Sequence, residues 1–227
     1  MKGLITVILA TSMLFTLAAC GTTTEPTTSG ITQSAAESTS ANNETSDPDS
    51  ASGTEQTTEP GAEAKILVVY FSWSGNLDKM AHWVADETGG DLVRVTAKEA
   101  YPENYNDTAN RAKKEQDDGT RPAINVDLTA EQFGEYDTVF FGFPVWWYDL
   151  PMSMWTLLES YDFSGKMVIP FFSHEGSSNG AGALPRLEEL AKGATVRSSD
   201  ALSIRGGKVA SSESDVREWV KGLGYSK

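Results

Sequence analysis

Lys65 to Phe71 reads KILVVYF, a lysine followed by six consecutive positions with only aliphatic or aromatic side chains. A strand with one solvated face alternates polar and apolar residues, whereas a strand with no polar position must be covered on both faces. This run therefore demands a sheet held between two layers. Further runs fit the same sheet. Asp91 to Thr96 is shorter and alternates, as an edge strand does, while Asp137 to Gly142 (DTVFFG) and Lys166 to Phe172 (KMVIPFF) are again nearly continuous. Ala201 to Ile204 is a weaker fifth. Between the runs, Leu77, Met80, Ala81, Val84 and Ala85 share one face at spacings of three and four, and Asp78, Lys79, His82 and Asp86 face away. Tyr105 to Asp117 is polar and helix-forming. Asp149 to Ser160 starts with a capping residue and has Pro151 in its first turn, and 181–191 and 213–223 complete the set. Strands alternating with helices predict an α/β fold: a doubly wound, five-stranded parallel sheet with helices on both faces.

The amino-terminal part cannot join that core. Residues 21–64 are almost entirely Thr, Ser, Glu, Ala, Asn, Pro, Asp and Gly, with Ile31 as the single large aliphatic residue. Such a composition buries too little apolar surface to offset the entropy of ordering it, so it reads as a disordered linker. It holds eight of the 32 acidic residues and none of the 18 basic ones. From Lys65 onward 24 acidic residues still face 17 basic ones, which argues against nucleic acid as a partner. Residues 1–20 have a positive start, an apolar stretch from Leu4 to Leu17, and the closing tetrapeptide Leu17-Ala18-Ala19-Cys20. This resembles a bacterial lipoprotein signal, in which the cysteine is lipidated. The stretch is short for a spanning helix, which needs about 20 apolar residues. The expectation is an extracytoplasmic domain (65–227) anchored to the membrane through Cys20 alone, on a tether whose span is on the order of 35–40 Å. Cys20 is also the only cysteine, which leaves no disulfide downstream.

Doubly wound sheets bind ligands beyond the C-terminal ends of their strands. That rule selects three segments. After the first strand come Ser72, Trp73, Ser74, Gly75, Asn76 and Leu77: two hydroxyls, a glycine that permits close approach, and an asparagine placed to cap a helix whose N–H groups favour an anion. No Lys or Arg lies in this loop, so an anion there is held by neutral dipoles. After the third strand, Phe143, Pro144, Val145, Trp146, Trp147, Tyr148 and Asp149 set three adjacent large aromatics at the sheet's mouth, a surface suited to a planar conjugated ring. At least one of the three is expected to pack inward. After the fourth strand, Ser173, His174, Glu175 and Gly176 open a small polar loop running to Gly180. His174 is a candidate donor to a bound ligand, whereas His82 reads as an ordinary surface residue. No metal-ligand cluster or dinucleotide fingerprint is present in the sequence.

Loops reading Ser-Trp-Ser-Gly-Asn and Pro-Val-Trp-Trp, in this order after these strands, together with Tyr101-Pro102 and Arg111 to Glu115, resemble the flavodoxins over essentially all of Lys65 to Tyr225. The resemblance implies the strand order 2-1-3-4-5. It also implies FMN, with its phosphate on Ser72, Ser74, Gly75, Asn76 and Leu77 and its ring between the Trp146–Tyr148 loop and Ser173–Gly176. Flavodoxins carry Thr where this chain has Leu77, and the missing hydroxyl implies weaker phosphate binding by about 0.5–1.5 kcal/mol. Three functions fit. The first is an FMN electron carrier serving a redox partner protein, the second an FMN-dependent quinone or nitro reductase acting on a small acceptor, and the third a surface binding protein that has lost the flavin. The minimal domain, with no nicotinamide module and no insertion to roof a substrate, favours the carrier.

Overall fold

A computed structural model of the chain describes residues 64–176, 180 and 182–227. The expected leader with Cys20, the linker up to residue 63, and Ser177 to Asn179 of the third loop lie outside the described residues. In chain order, β1 (Ile66–Phe71) leads into α1 (Asn76–Thr88), β2 (Asp91–Ala97) and α2 (Tyr105–Asp117). Two short elements follow, β3 (Ile124–Asn125) and α3 (Ala130–Gly134), ahead of β4 (Thr138–Pro144), α4 (Met152–Ser160) and β5 (Met167–His174). The chain closes with α5 (Ala183–Leu190), β6 (Thr195–Val196), β7 (Leu202–Arg205), α6 (Gly206–Val209) and α7 (Glu213–Gly222).

The five expected strands are β2, β1, β4, β5 and β7, parallel and adjacent in that order. Two two-residue strands extend the prediction. β3 pairs antiparallel with the end of β2, and β6 pairs with the start of β5 before β7 takes over along the same edge. Neither is long enough to leave a periodic signal in the sequence.

Side-chain alternation explains the unbroken apolar runs. Leu67, Val69 and Phe71 of β1 join Val139, Phe141 and Phe143 of β4 on one face, under Leu150, Met154 and Leu157 at α4 and Leu187 of α5. Val68 and Tyr70 point the other way with Phe140, Ile169 and Phe171, where Leu77, Met80, Ala81 and Val84 of α1 and Val216 and Val220 of α7 cover them. α1 thus buries the face that its spacing predicted.

Several ends shift by one or two residues from expectation, and three of the shifts lie at the mouth of the sheet. β4 continues through Phe143 to Pro144 and β5 through Ser173 to His174, because the ladder pairs Phe143 with Phe172 and Pro144 with Ser173. Proline is tolerated at a strand's last position, where a missing N–H ends the ladder without interrupting it. Phe143 is therefore core, stacked on Phe172 at 5.4 Å, and not part of a loop. α4 starts at Met152 behind Pro151, and the expected cap Asp149 is engaged elsewhere.

Candidate functional site

The loop after β1 turns on Gly75, whose φ of 86° lies in the left-handed region that glycine adopts without strain. Gly75, and not the expected Asn76, is the N-cap of α1, and no side chain caps this helix. Ser72 is buried, and its Oγ accepts from the Gly75 N–H at 3.2 Å, which folds the loop on itself. Among the described residues, no acceptor meets the backbone N–H of Trp73, Ser74, Asn76, Leu77 or Asp78. Backbone donors left in this state at a helix start form an anion-binding concavity. Leu77 contributes its N–H alone, because its side chain is buried in the α1 core face. A cation does stand beside the loop, from an element that loop-based reading overlooked: Arg94 of β2 donates through Nη2 to the Ser72 carbonyl at 3.0 Å.

The aromatic segment forms a tight turn. Trp146 and Asp149 exchange backbone hydrogen bonds of 2.9 and 3.0 Å, and Trp147 (φ 49°) and Tyr148 (φ 66°) between them are both left-handed. Positive φ at both central positions belongs to turns that favour Asn and Gly, and a bulky residue there costs about 1–3 kcal/mol. Trp146 is the inward member. Its ring meets Phe71 edge-on at 5.5 Å and Tyr101 at 5.0 Å. Trp147 leans on α2, its Nε1 donating to the Ala109 carbonyl at 2.9 Å. Tyr148 remains 64% exposed. Its carbonyl is backed by Gly182, where an added Cβ would come to 2.1 Å.

Beneath the turn lies a polar clasp built from the Tyr101 and Arg111–Glu115 stretches. Tyr101 Oη donates to Glu115 Oε2 at 2.6 Å, and Arg111 donates to Glu115 Oε1 at 2.8 Å and to the carbonyls of Glu99 and Ala100. The guanidinium also lies 4.2 Å from the Tyr101 ring centroid. Burial, reinforced by the bond to Glu115, holds the Tyr101 phenol well above its ordinary pKa, so it stays a donor.

A cavity of about 290 Å³ opens among these parts, lined by Trp73, Val145, the Trp146–Tyr148 turn and Glu175–Gly176. Its far wall is α2, through Tyr105, Thr108, Ala109 and Ala112. This wall escaped the sequence reading. The available signal was a row of small residues at spacings of three and four on an otherwise charged helix, headed by Tyr105, which is 67% exposed. Glu175 and Asn76 both crowd Gly206, where an added Cβ would lie 2.1 Å from Glu175 Oε1 and 2.8 Å from Asn76 Nδ2. His174 does not face the cavity as a free donor. It ends β5, and its Nδ1 bonds the Gly176 carbonyl at 2.8 Å; a carbonyl only accepts, so the ring donates within its own loop. His82 is exposed on α1, as expected.

The sequence matches a family model described as flavodoxin over residues 65–223. Among solved structures, a candidate flavoprotein from Bacteroides uniformis ATCC 8492 is 31% identical, covering 70% of this chain and 99% of that one, with a TM-score of 0.58. A flavoprotein in complex with FMN from Lactobacillus acidophilus NCFM is 26% identical, covering 69% of this chain and 99% of that one, with a TM-score of 0.53. An NAD(P)H dehydrogenase (quinone) of Sinorhizobium fredii is 33% identical over 79 residues, 35% of this chain and 37% of that protein. The chain thus matches little more than a third of the length of that curated relative.

Proposed function

The chain belongs to the flavodoxin family, and on that premise we propose that it binds FMN and works as an electron carrier. One observation carries the reading: the uncapped start of α1, with its unmet N–H groups, opens beside an aromatic cavity at the C-terminal edge of the sheet. The residues suit the ligand at both ends. Ser72 to Leu77 offer backbone and hydroxyl donors to a phosphate, and Gly75 has open space where a side chain would intrude. Trp147, Tyr148, Tyr105 and Trp73 offer apolar faces and edges to a ring system. FMN, when bound, supplies redox chemistry in one- or two-electron steps, and the protein's part is to hold, orient and partly dry it. Titration of the flavin-free chain with FMN and with riboflavin, followed by flavin fluorescence, tests this. FMN should bind at least about tenfold more tightly, since only it engages the N–H groups of the first loop. Equal affinity would remove the phosphate role of Ser72 to Leu77.

The partial match to an NAD(P)H dehydrogenase (quinone) favours a second reading, an FMN-dependent quinone reductase. Rapid NADPH–quinone turnover by the FMN-loaded chain would replace the carrier with this enzyme. We further propose that the protein is extracytoplasmic and anchored through lipidated Cys20, a reading supported by the Leu17–Cys20 tetrapeptide and the acidic composition after it. Mass spectrometry of the mature N-terminus should find an acylated Cys20. A retained Met1, or an unmodified Cys20, would sink the anchor.

A further inference from the structure

Resting on the FMN reading, we propose that Arg94 is the positioning residue that makes the first loop select a phosphate-bearing ligand. It does so by fixing one peptide of the loop and by neutralising the carboxylate next to it. The loop has no cation of its own, and the first turn of α1 carries an anion, Asp78. A carboxylate there suits the helix dipole but repels a phosphate bound at the same N-terminus. Its charge has to be drawn off for the site to hold an anion well.

The sheet register supplies the means. Tyr70 of β1 and Arg94 of β2 are direct neighbours across the ladder, so both side chains lie on the α1 face. Tyr70 Oη donates to Asp78 Oδ1 at 2.7 Å, and Arg94 Nη1 lies 3.5 Å from that same oxygen. Arg94 Nη2 is meanwhile bonded to the Ser72 carbonyl at 3.0 Å. A trans peptide sets C=O and N–H on opposite sides, so fixing the Ser72 carbonyl on Arg94 aims the Trp73 N–H the other way. That N–H is one of the group without an acceptor among the described residues. One forked guanidinium thus does two tasks, and lysine, a single point charge, can do only one at a time.

The two flavins separate this role from simple support of the fold, because riboflavin shares the ring with FMN and lacks the phosphate. The full chain and its variants are titrated with both at low ionic strength. R94Q should weaken FMN about tenfold while riboflavin changes less than about twofold, and R94K should fall between. In a D78N background the loss caused by R94Q should shrink to about threefold, since the repulsion Arg94 offsets is gone. Equal weakening of both flavins by R94Q, or no weakening of FMN, overturns the role of Arg94 while leaving the FMN reading intact. If the unsubstituted chain binds neither flavin, the FMN reading falls and this inference falls with it.

Discussion

Gly142→Ala is expected to destabilise the domain by about 3 kcal/mol, the upper end of what overpacking a filled core costs. Gly142 sits in β4 between Tyr70 of β1 and Phe171 of β5. An added Cβ would lie 2.4 and 2.6 Å from two ring carbons of Phe171 and 2.8 Å from the Cβ of Tyr70. Neither neighbour can yield. The Tyr70 Cβ is fixed to the backbone of a central strand, and the Phe171 ring is fully buried against Trp219. For a domain of this size the loss corresponds to a fall in Tm of roughly 6–12 °C. Gly134→Ala makes a natural control: it adds the same methyl group on α3, where nothing lies within 4 Å. It should be neutral or stabilise by about 0.5–1 kcal/mol. Thermal unfolding followed by circular dichroism measures both. A loss below about 1 kcal/mol for Gly142→Ala would mean that the Phe171 ring has room to swing aside, and that this layer of the core is loosely filled.

The parts of this fold legible in the sequence are those dictated by burial over several residues. ILVVYF has to be a central strand, and Leu77, Met80, Ala81 and Val84 have to face it, because no other arrangement covers them. The loops do follow their strands, although Phe143, Pro144, Ser173 and His174, expected in loops, end β4 and β5. Their internal geometry was less legible, since it depends on contacts between segments distant in sequence. Asp149 reads locally as a helix cap, yet its backbone closes a turn with Trp146, and its carboxylate accepts from the Leu150 N–H. His174 reads locally as a free donor but spends its proton on Gly176. Arg94 is unremarkable along β2, and only the register that sets it beside Tyr70 brings it to Ser72 and Asp78. The α2 wall was overlooked for the same reason, since Thr108, Ala109 and Ala112 gain meaning only once Trp147 is seen to lean on them.

The aromatic turn should trade stability for binding, and Tyr148→Gly is expected to expose the trade. In the folded chain Tyr148 holds φ at 66° with its side chain 64% exposed. It therefore carries the cost of a left-handed bulky residue, about 1–2 kcal/mol, with little burial to offset it. Strain of this kind persists where the surroundings over-determine it. Here the Trp146–Asp149 backbone pair, the Trp147 bond to Ala109 and the close approach of Gly182 do so. Glycine would relieve the strain and give back about 0.5–1 kcal/mol through its freer unfolded chain. Stability should then be unchanged or raised, with Tm shifting by no more than about 6 °C upward. FMN affinity should fall about tenfold to a hundredfold, from the loss of a stacking face worth about 1–3 kcal/mol. Riboflavin should lose affinity by the same factor, because the ring is common to both ligands, which sets this variant apart from R94Q. Trp146→Ala should instead cost several kcal/mol of stability, since its ring fills the space between Phe71 and Tyr101. If Tyr148→Gly lowers Tm and leaves both flavin affinities intact, the exposed ring is a structural prop, and the strain in this turn has no connection to the cofactor.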